Sequence, residues 1–509
     1  MQKSGPTSKN ITRRQHPSQR KFLFKTPKQR LRHPVMSRIN ISELIFEENI
    51  ARLDNVALVD SGASLSYREL QARVQGVAEA LSLRHIKPLH RVALLCHDSI
   101  DYVILSLAVL SLDAAIVPIA PDLMSDERLS IPERMDVHFI LADVSLLSAP
   151  SENILSSSLG LKRTIALIPR VTSPETRDQY AEMRPAFIRF SSGTTGASKG
   201  VVLSHETIRD RTDAANDGLQ ITSEDTIAWV LSMSFHFVVT ILLFLRKGAT
   251  IVICGNPIQD AMTKALQNYP ITLIYASPIH YRLLTTSTAI SPEHFKTLRL
   301  AVSTAIRLPE QVAKDFFNRF QIHLAEAYGV IEVGLPFLNQ QTGEFRPGRL
   351  GKPLPAYTVR CGEDGAVYLR GKGLFDGYFC PWTPYPLRAT QGWFDTGDLG
   401  ELDADGGLTL VGRIKAVINF AGMKIFPQEV EEVLNQFPAI AESLVTGEPH
   451  AEYGQLPCAQ LVLAPGVKTL NEQELLTFCK KHLSTHKIPK SFRCVEQLPK
   501  TASGKLRRY

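Results

Sequence analysis

The chain has 509 residues, of which 44% are apolar and 21% are charged. That length exceeds one ordinary core and predicts two or more domains. No apolar run approaches the roughly 18–20 residues that cross a bilayer. The seven scattered cysteines include no C-x-x-C pair, so the composition excludes a disulfide framework or a zinc site and predicts a soluble cytoplasmic protein.

The positive charge is concentrated at the N-terminus. Of the 57 basic residues, eleven lie within residues 1–38, which contain no acidic residue; the other 46 face 50 acidic residues. The body of the chain is therefore mildly acidic, which argues against a nucleic-acid partner. We interpret residues 1–37 as a disordered basic extension. Three explanations are open: an arm for anionic surfaces, a transit peptide, or a true translation start at Met36, which we favour.

Strand and helix patterns alternate from about residue 55. Residues 91–96 predict a buried strand, residues 101–110 an apolar helix and residues 114–118 the next strand. Further β-rich runs follow at 250–254 and 273–276. Such alternation is typical of parallel sheets covered by helices, so we predict an α/β fold.

The pattern changes beyond about residue 355. Short strands and Gly-rich turns indicate a β-rich subdomain, and a compact α+β segment follows Gly412-Arg413. We predict a large N-terminal domain over residues 38–413 and a small, mobile α+β C-terminal domain over residues 414–509.

The clearest functional motif is Ser191-Ser-Gly-Thr-Thr-Gly-Ala-Ser-Lys-Gly200, which lies between two strand patterns. Its glycines allow backbone N–H groups to point inward, its hydroxyls add donors and Lys199 adds a positive charge. We interpret it as a triphosphate-binding loop, the alternative being a solvated turn. The G-x-x-G-x-x-K spacing differs from that of a Walker A loop.

This loop resembles the signature [ST][ST]G[ST]TGxPKG of the adenylate-forming (AMP-binding) superfamily, which includes acyl-CoA synthetases, aryl-acid ligases, firefly luciferase and adenylation domains. Further segments resemble motifs of the same superfamily, in the same order, from about residue 40 to the C-terminus. They are Ser66-Tyr-Arg-Glu-Leu70, Ala325-Glu-Ala-Tyr-Gly-Val-Ile-Glu332, Gly392-Trp-Phe-Asp-Thr-Gly-Asp398, Gly412-Arg-Ile-Lys415 with Phe420-Ala-Gly422, and Leu498-Pro-Lys-Thr-Ala-Ser-Gly-Lys505.

The resemblance implies ATP-dependent activation of a carboxylic acid as an acyl- or aryl-adenylate, with release of pyrophosphate. Lys505 would bridge the carboxylate and the α-phosphate, and Lys199 would be the second catalytic cation. Glu332 and Thr195 would hold Mg²⁺ with the phosphates. The implied ATP- and AMP-binding residues are Ser191, Ser192, Gly193, Thr194, Thr195, Gly196, Lys199, Glu326, Ala327, Tyr328, Asp398, Arg413 and Lys505.

Three of these assignments have structural alternatives. Asp398 would bind the ribose hydroxyls together with Arg413, but a β-turn role after Gly397 is also open. Tyr328 would stack on adenine, or it is a core tyrosine. Lys505 would be a surface lysine if its motif were ignored.

Two residues depart from the superfamily pattern beside the phosphates. Ser198 replaces a proline, which should loosen the loop slightly without removing a donor. Ile331 replaces a threonine that would donate to phosphate, which costs one hydrogen bond of about 0.5–1.5 kcal/mol. The Ile331 departure predicts slower adenylation or weaker AMP retention, and not its abolition. Together the two departures keep open a degenerate, non-catalytic nucleotide-binding homologue.

The sequence restricts the substrate acid by arguing against an amino acid. Phe235-His236 replaces the aspartate by which relatives that activate amino acids bind the substrate ammonium, so an apolar or aromatic acid is implied, unless His236 is a core histidine. The implied pocket residues are His236, Val239, Ser277, Ser303, Thr304, Ala305, Ala327 and Ile331.

The second half-reaction needs a thiol. By resemblance, the C-terminal domain swings about Lys415 and places Phe420, Ala421 and Gly422 along a thiol tunnel. CoA is the expected acceptor, and the phosphopantetheine of an acyl carrier protein is the alternative.

Overall fold

The computed structural model describes residues 39–148, 153–155, 159–172, 178–191, 199–340, 343, 345–380, 382–385, 392–421, 423–450, 452–500 and 506–508. The basic extension 1–37, and with it the three explanations for it, lies outside the described residues. Helices and strands are numbered in chain order. The helices are α1 Ile41–Glu48, α2 Tyr67–Leu83, α3 Ile100–Ser111, α4 Ser125–Arg134, α5 Asp178–Met183, α6 His205–Leu219, α7 Leu243–Arg246, α8 Ile258–Asn268, α9 Pro278–Thr286, α10 Glu310–Phe320, α11 Pro427–Leu434 and α12 Glu472–His482.

The first sheet has eight strands in the order β14-β13-β12-β11-β9-β10-β1-β2. Pairing is parallel from β13 to β1 and antiparallel at both edges. The strands are β1 Val56–Asp60, β2 Ala63–Ser66, β9 Thr226–Trp229, β10 Thr250–Ile253, β11 Leu273–Ala276, β12 Leu300–Ser303, β13 Leu324–Val330 and β14 Gly334–Gln340.

The second sheet also has eight strands, in the order β19-β18-β8-β7-β4-β3-β5-β6. Its centre, β7-β4-β3-β5, is parallel, and β7 and β8 form an antiparallel hairpin that frames the phosphate loop. The strands are β3 Arg91–Leu95, β4 Ala115–Pro118, β5 Phe139–Asp143, β6 Ile165–Pro169, β7 Pro185–Ser191, β8 Lys199–Ser204, β18 Gly377–Tyr378 and β19 Thr383–Pro384.

One apolar core joins these two sheets. It includes Phe187 of β7 and Trp229 of β9, together with α3, which is buried along nearly its whole length. Helix α2 begins within the Ser66-Tyr-Arg-Glu-Leu70 motif, because Ser66 and Glu69 cap each other's backbone N–H groups as a capping box. The predicted α/β architecture is therefore confirmed.

Two smaller antiparallel sheets follow. The third sheet has the order β15-β21-β20-β17-β16, and the C-terminal sheet has the order β23-β22-β25-β24 with β26 parallel to β25. Their strands are β15 Arg349–Gly351, β16 Tyr357–Cys361, β17 Ala366–Gly371, β20 Phe394–Leu402, β21 Leu408–Arg413, β22 Ile418–Phe420, β23 Met423–Ile425, β24 Ile440–His450, β25 Gly454–Leu463 and β26 Ser491–Cys494.

A 3₁₀ turn, Ile414–Ala416, links the third sheet to the C-terminal sheet. Helix α11 then begins with Pro427 in its first turn, where the missing N–H of proline costs no helical hydrogen bond. Helices α11 and α12 cover the C-terminal sheet around a core of their own. The domain boundary at 413–416 stays a prediction. Across the described ranges, no helix combines the length and hydropathy that a membrane span requires.

Candidate active site

Three of the predicted nucleotide-binding residues are bonded to one another through the buried carboxylate of Asp398. Asp398 lies within β20 and is 4% exposed, so the β-turn interpretation was wrong. The Tyr328 hydroxyl donates to its Oδ2, and the Arg413 Nε donates to its Oδ1 at 2.8 Å. Burial, and secondly the Asp398 charge, raise the pKa of Tyr328 well above its usual range. An ionised acid with two oriented donors suits recognition of ribose hydroxyls.

Tyr328 also has a packing role. Its ring meets Phe337 edge-on, with 6.0 Å between ring centroids. The tyrosine is therefore fixed at both ends, by the core at its ring and by Asp398 at its hydroxyl. Adenine stacking on Tyr328 stays a prediction.

Glu332 and Lys199 both contact Tyr378, a residue that the motifs do not predict. The Tyr378 hydroxyl donates to Glu332 Oε1 at 3.1 Å, and the Lys199 ammonium lies 4.8 Å from the centre of the Tyr378 ring. Tyr378 comes from β18, which pairs with β8 directly after Lys199. This carboxylate beside a fixed cation fits the single acidic ligand that Mg²⁺ needs when phosphate and water supply the rest.

Arg211 of α6 was also missed, and it fixes the position of Glu332. The guanidinium is buried and donates to the backbone oxygens of Ile331 at 2.7 Å, Glu332 at 3.0 Å and Gly373 at 2.8 Å. Desolvation lowers its pKa to about 10, so it stays charged at neutral pH. No local pattern in α6 signals this role, because its partners lie about 120 residues or more away.

Much of the phosphate loop itself is outside the described residues. That part is residues 192–198, which include the predicted ligands Ser192, Gly193, Thr194, Thr195 and Gly196 and the departure Ser198; Lys505 and Gly422 are outside as well. The backbone of Ser191 ends β7, paired with Lys199 across the hairpin. The roles assigned to these residues stay predictions.

The predicted acyl-pocket residues divide into two groups. Val239, Ala327 and Ile331 pack on the core that joins the two large sheets. His236 is half-buried and precedes a π-helical turn, Phe237–Leu242, where Thr240 donates to the His236 carbonyl. π-Turns inside helices are frequent at functional sites.

The second group follows β11 and β12. Ser277 caps α9 and its hydroxyl contacts His280 Nδ1 at 2.8 Å, so this side chain is engaged in the cap. Ser303 and Thr304 are buried, and the Thr304 hydroxyl donates weakly to the Ala327 carbonyl at 3.4 Å. Ala305 has φ of +72°, a left-handed conformation that is uncommon for alanine and turns the chain sharply after β12.

Substitution of Ile331 tests whether its departure from the superfamily pattern slows adenylation. It packs against the core, and its backbone is held by Arg211. We expect Ile331→Thr to raise acid-dependent ATP–pyrophosphate exchange or leave it unchanged, because threonine restores one donor worth about 0.5–1.5 kcal/mol. A large loss of exchange in a variant that melts like wild type would show that the site is built differently.

Glu326 of β13 is a buried acid whose side chain makes its one hydrogen bond within the described residues to the backbone of Leu308. Its Oε1 accepts the Leu308 N–H at 2.9 Å, and its Oε2 is buried without a partner in the described part of the chain. Burial raises the pKa of this carboxyl to about 7. Its predicted contact with nucleotide stays a prediction, and its geometry indicates a structural acid.

This pKa predicts a pH-dependent stability. A carboxyl with a raised folded-state pKa contributes stability fully below its unfolded value of 4.5, and loses it as pH rises through about 7. We therefore expect Glu326→Gln to match wild type near about pH 4 and to be more stable near about pH 8, by at most about 3 kcal/mol. Urea unfolding at both pH values measures this, and an equal pH dependence in both proteins would contradict it.

The residues predicted as hinge and thiol tunnel follow strand β21, and those roles stay predictions. Lys415 is exposed in the 3₁₀ turn, and Phe420 contacts the Tyr453 ring, with 5.5 Å between centroids. Ala421 has φ of +49°. Arg307, after the pocket segment, pairs with Glu432 of α11 at 2.5 Å.

These features match a known family. The sequence model of the family described as AMP-binding enzyme matches residues 46–379. The sequence model of the AMP-binding enzyme C-terminal domain matches residues 429–505. The chain belongs to the AMP-binding enzyme family, as its motifs predict. It is thus an AMP-forming acid–thiol ligase.

Two relatives illustrate the similarity. The 3-[(3aS,4S,7aS)-7a-methyl-1,5-dioxo-octahydro-1H-inden-4-yl]propanoyl:CoA ligase of Mycobacterium tuberculosis is 28% identical over 483 residues, 89% of this chain and 94% of that enzyme. The 4-chlorobenzoate–CoA ligase of an Arthrobacter species is 27% identical over 489 residues, 89% of this chain and 91% of that enzyme.

The fold is also that of a solved structure. ATP-bound MatB from Rhodopseudomonas palustris superposes with a TM-score of 0.79 at 24% identity, covering 92% of this chain and 97% of that one.

Proposed function

We propose that this protein activates an apolar carboxylic acid with ATP and transfers the acyl group to CoA. The observation that carries the proposal is the pair of carboxylates in the predicted nucleotide site: Asp398, held by Tyr328 and Arg413, and Glu332, held by Tyr378. The first suits the ribose and the second suits the metal that accompanies the phosphates.

In the first half-reaction, a carboxylate oxygen attacks the α-phosphorus, the new O–P bond forms and the α–β bridging P–O bond breaks. Pyrophosphate leaves with the electron pair of that bond. Lys199 and Lys505 counter the charge of the two anions that meet, and Asp398 with Arg413 fixes the ribose. Bound at Glu332, Mg²⁺ would neutralise phosphate charge.

In the second half-reaction, the CoA sulfur attacks the acyl carbon, the C–S bond forms and the bond to AMP breaks. The thiol proton is released to solvent. The C-terminal domain rotates about Lys415 between the two steps and places Phe420 and Ala421 beside the thiol. Since the named relatives are CoA ligases, a carrier protein is not needed to explain the transfer.

The acid is an apolar ring or alkyl acid. Phe235-His236 provides no ammonium-binding carboxylate, and Val239, Ala327 and Ile331 belong to an apolar cluster. The relatives act on a bicyclic propanoate and on a chlorinated benzoate, which fit such a pocket. The site of action proposed is the cytoplasm, where ATP and CoA are available and the seven free cysteines stay reduced.

A panel of aryl, alicyclic and alkyl acids tests the proposal by acid-dependent ATP–pyrophosphate exchange. Exchange with at least one apolar acid, followed by CoA thioester formation, is the expected result. Exchange with none of the acids, by protein that still binds ATP, would overturn it in favour of a non-catalytic nucleotide-binding homologue.

A further inference from the structure

Arg189 is a cation that the reaction described above does not use. It lies in β7, two residues before Ser191 begins the phosphate loop. Side chains alternate along a strand, so Arg189 shares a face with Phe187, which stacks on Phe237 with 6.4 Å between centroids. Arg189 therefore faces the core against which Val239, Ala327 and Ile331 pack, the same residues that line the predicted acyl pocket.

The guanidinium is held in one orientation. Its Nη1 donates to the Phe235 carbonyl at 2.6 Å, and its central carbon lies 5.3 Å from the centre of the Phe235 ring. A guanidinium has five N–H donors. Within the ranges that the structure describes, the bond to Phe235 is the hydrogen bond that these donors make, which leaves the others for a ligand.

Arg189 is desolvated by the protein around it, but part of its side chain is still exposed. Desolvation lowers its pKa to about 10, so it remains charged at neutral pH, while its side chain is only partly buried. Glu332 is the acid whose charge acts on it most strongly. A desolvated cation with unused donors is costly unless an anion completes its shell. Glu332 itself is the proposed metal ligand, so a further anion is required when the metal is bound.

We propose that Arg189 binds the reacting carboxylate of the acid and orients it toward the phosphate loop. The residue contacts Phe235, which precedes His236 of the predicted acyl pocket, and strand β7 carries it two residues before the phosphate loop. The carboxylate that attacks the α-phosphorus must reach from the acyl pocket to the phosphates, which places it between these two features. The planar fork of arginine matches both oxygens of a carboxylate, which fixes the direction of attack. This inference rests on the proposed function.

The test compares Arg189→Gln, Arg189→Met and Arg189→Lys with wild type in ATP–pyrophosphate exchange, using benzoate, hexanoate, phthalate and adipate as probes. Arg370→Gln is the matched control, because Arg370 is an exposed arginine stacked on Trp393. For the two neutral variants we expect the KM for every accepted acid to rise tenfold or more, and the KM for ATP to change less than threefold. Lysine keeps the charge without the fork, so Arg189→Lys should recover part of the loss.

Binding without turnover gives an independent measure. The Kd of the same acids, measured by calorimetry without ATP, should rise in parallel for the neutral variants and stay unchanged for Arg370→Gln. An increase confined to the KM for ATP would overturn the proposal and assign Arg189 to phosphate. A loss confined to phthalate and adipate would also overturn it, because Arg189 would then bind a second carboxylate.

A purely structural role is separable as well. Lower melting temperatures with unchanged acid Kd and KM would overturn the proposal. Absence of ATP–pyrophosphate exchange by wild type with every acid would overturn the proposed function itself. Exchange by wild type, together with unchanged acid affinity in the Arg189 variants, would overturn the Arg189 proposal alone.

Discussion

Lys505→Ala should reduce acid-dependent ATP–pyrophosphate exchange by at least about 10²-fold, the loss typical when one preorganised charge-stabilising group is removed. Two anions meet in this step, and the resemblance of residues 498–505 to the superfamily motif implies that Lys505 lies where the carboxylate and the α-phosphate approach. Thioester formation from synthetic acyl-AMP and CoA should stay within about fivefold of wild type, because the lysine acts before the domain rotates.

Lys481→Ala is the matched control, since Lys481 is an exposed lysine of α12 in the same domain. It should leave both half-reactions unchanged. Simultaneous loss of both half-reactions in a Lys505→Ala protein with a wild-type melting temperature would show that the two-conformation scheme does not hold here.

The elements of the fold follow closely from the sequence pattern. The predicted strand at 273–276 is observed at those residues, and the predicted helix at 101–110 runs from Ile100 to Ser111. These elements are buried and strongly patterned, so periodicity alone locates them. Their ends depend on single caps such as Ser99, which a periodic pattern does not fix.

The members of the candidate nucleotide-binding cluster each follow from a motif, but the bonds between them do not. Tyr328 and Asp398 are 70 positions apart, and each was assigned a separate contact with the nucleotide. The structure shows that they also bond to each other. Such a bond depends on the packing of the first sheet against the third, about which a motif carries no information.

Tyr378 and Arg211 were missed for a related reason. Each acts on the Glu332 segment from a distant element, and neither lies in a recognisable motif. Arg189 is different, because it lies inside strand β7, directly before the phosphate-loop motif. A charged residue in a buried strand is unusual and is visible in the sequence. Its interpretation depends on the contact with Phe235, which the sequence does not show.

Asp398→Asn should raise the KM for ATP by roughly 10- to 100-fold and change the KM for the acid much less. The carboxylate is the acceptor proposed for the ribose hydroxyls, and charge-assisted hydrogen bonds contribute about 1.5–3 kcal/mol each. Asparagine keeps the shape and one acceptor oxygen. It loses the charge that pairs with Arg413 at 2.8 Å and that accepts the Tyr328 hydroxyl.

Glu401→Gln supplies the control, because Glu401 is an exposed acid of the same strand β20. It should leave both KM values at wild-type levels. Since Asp398 is buried, melting temperatures with and without AMP must accompany the kinetics: AMP should stabilise wild type and Glu401→Gln, but much less so Asp398→Asn. Equal stabilisation of all three proteins by AMP would remove Asp398 from the ribose site and leave it as a structural partner of Tyr328 and Arg413.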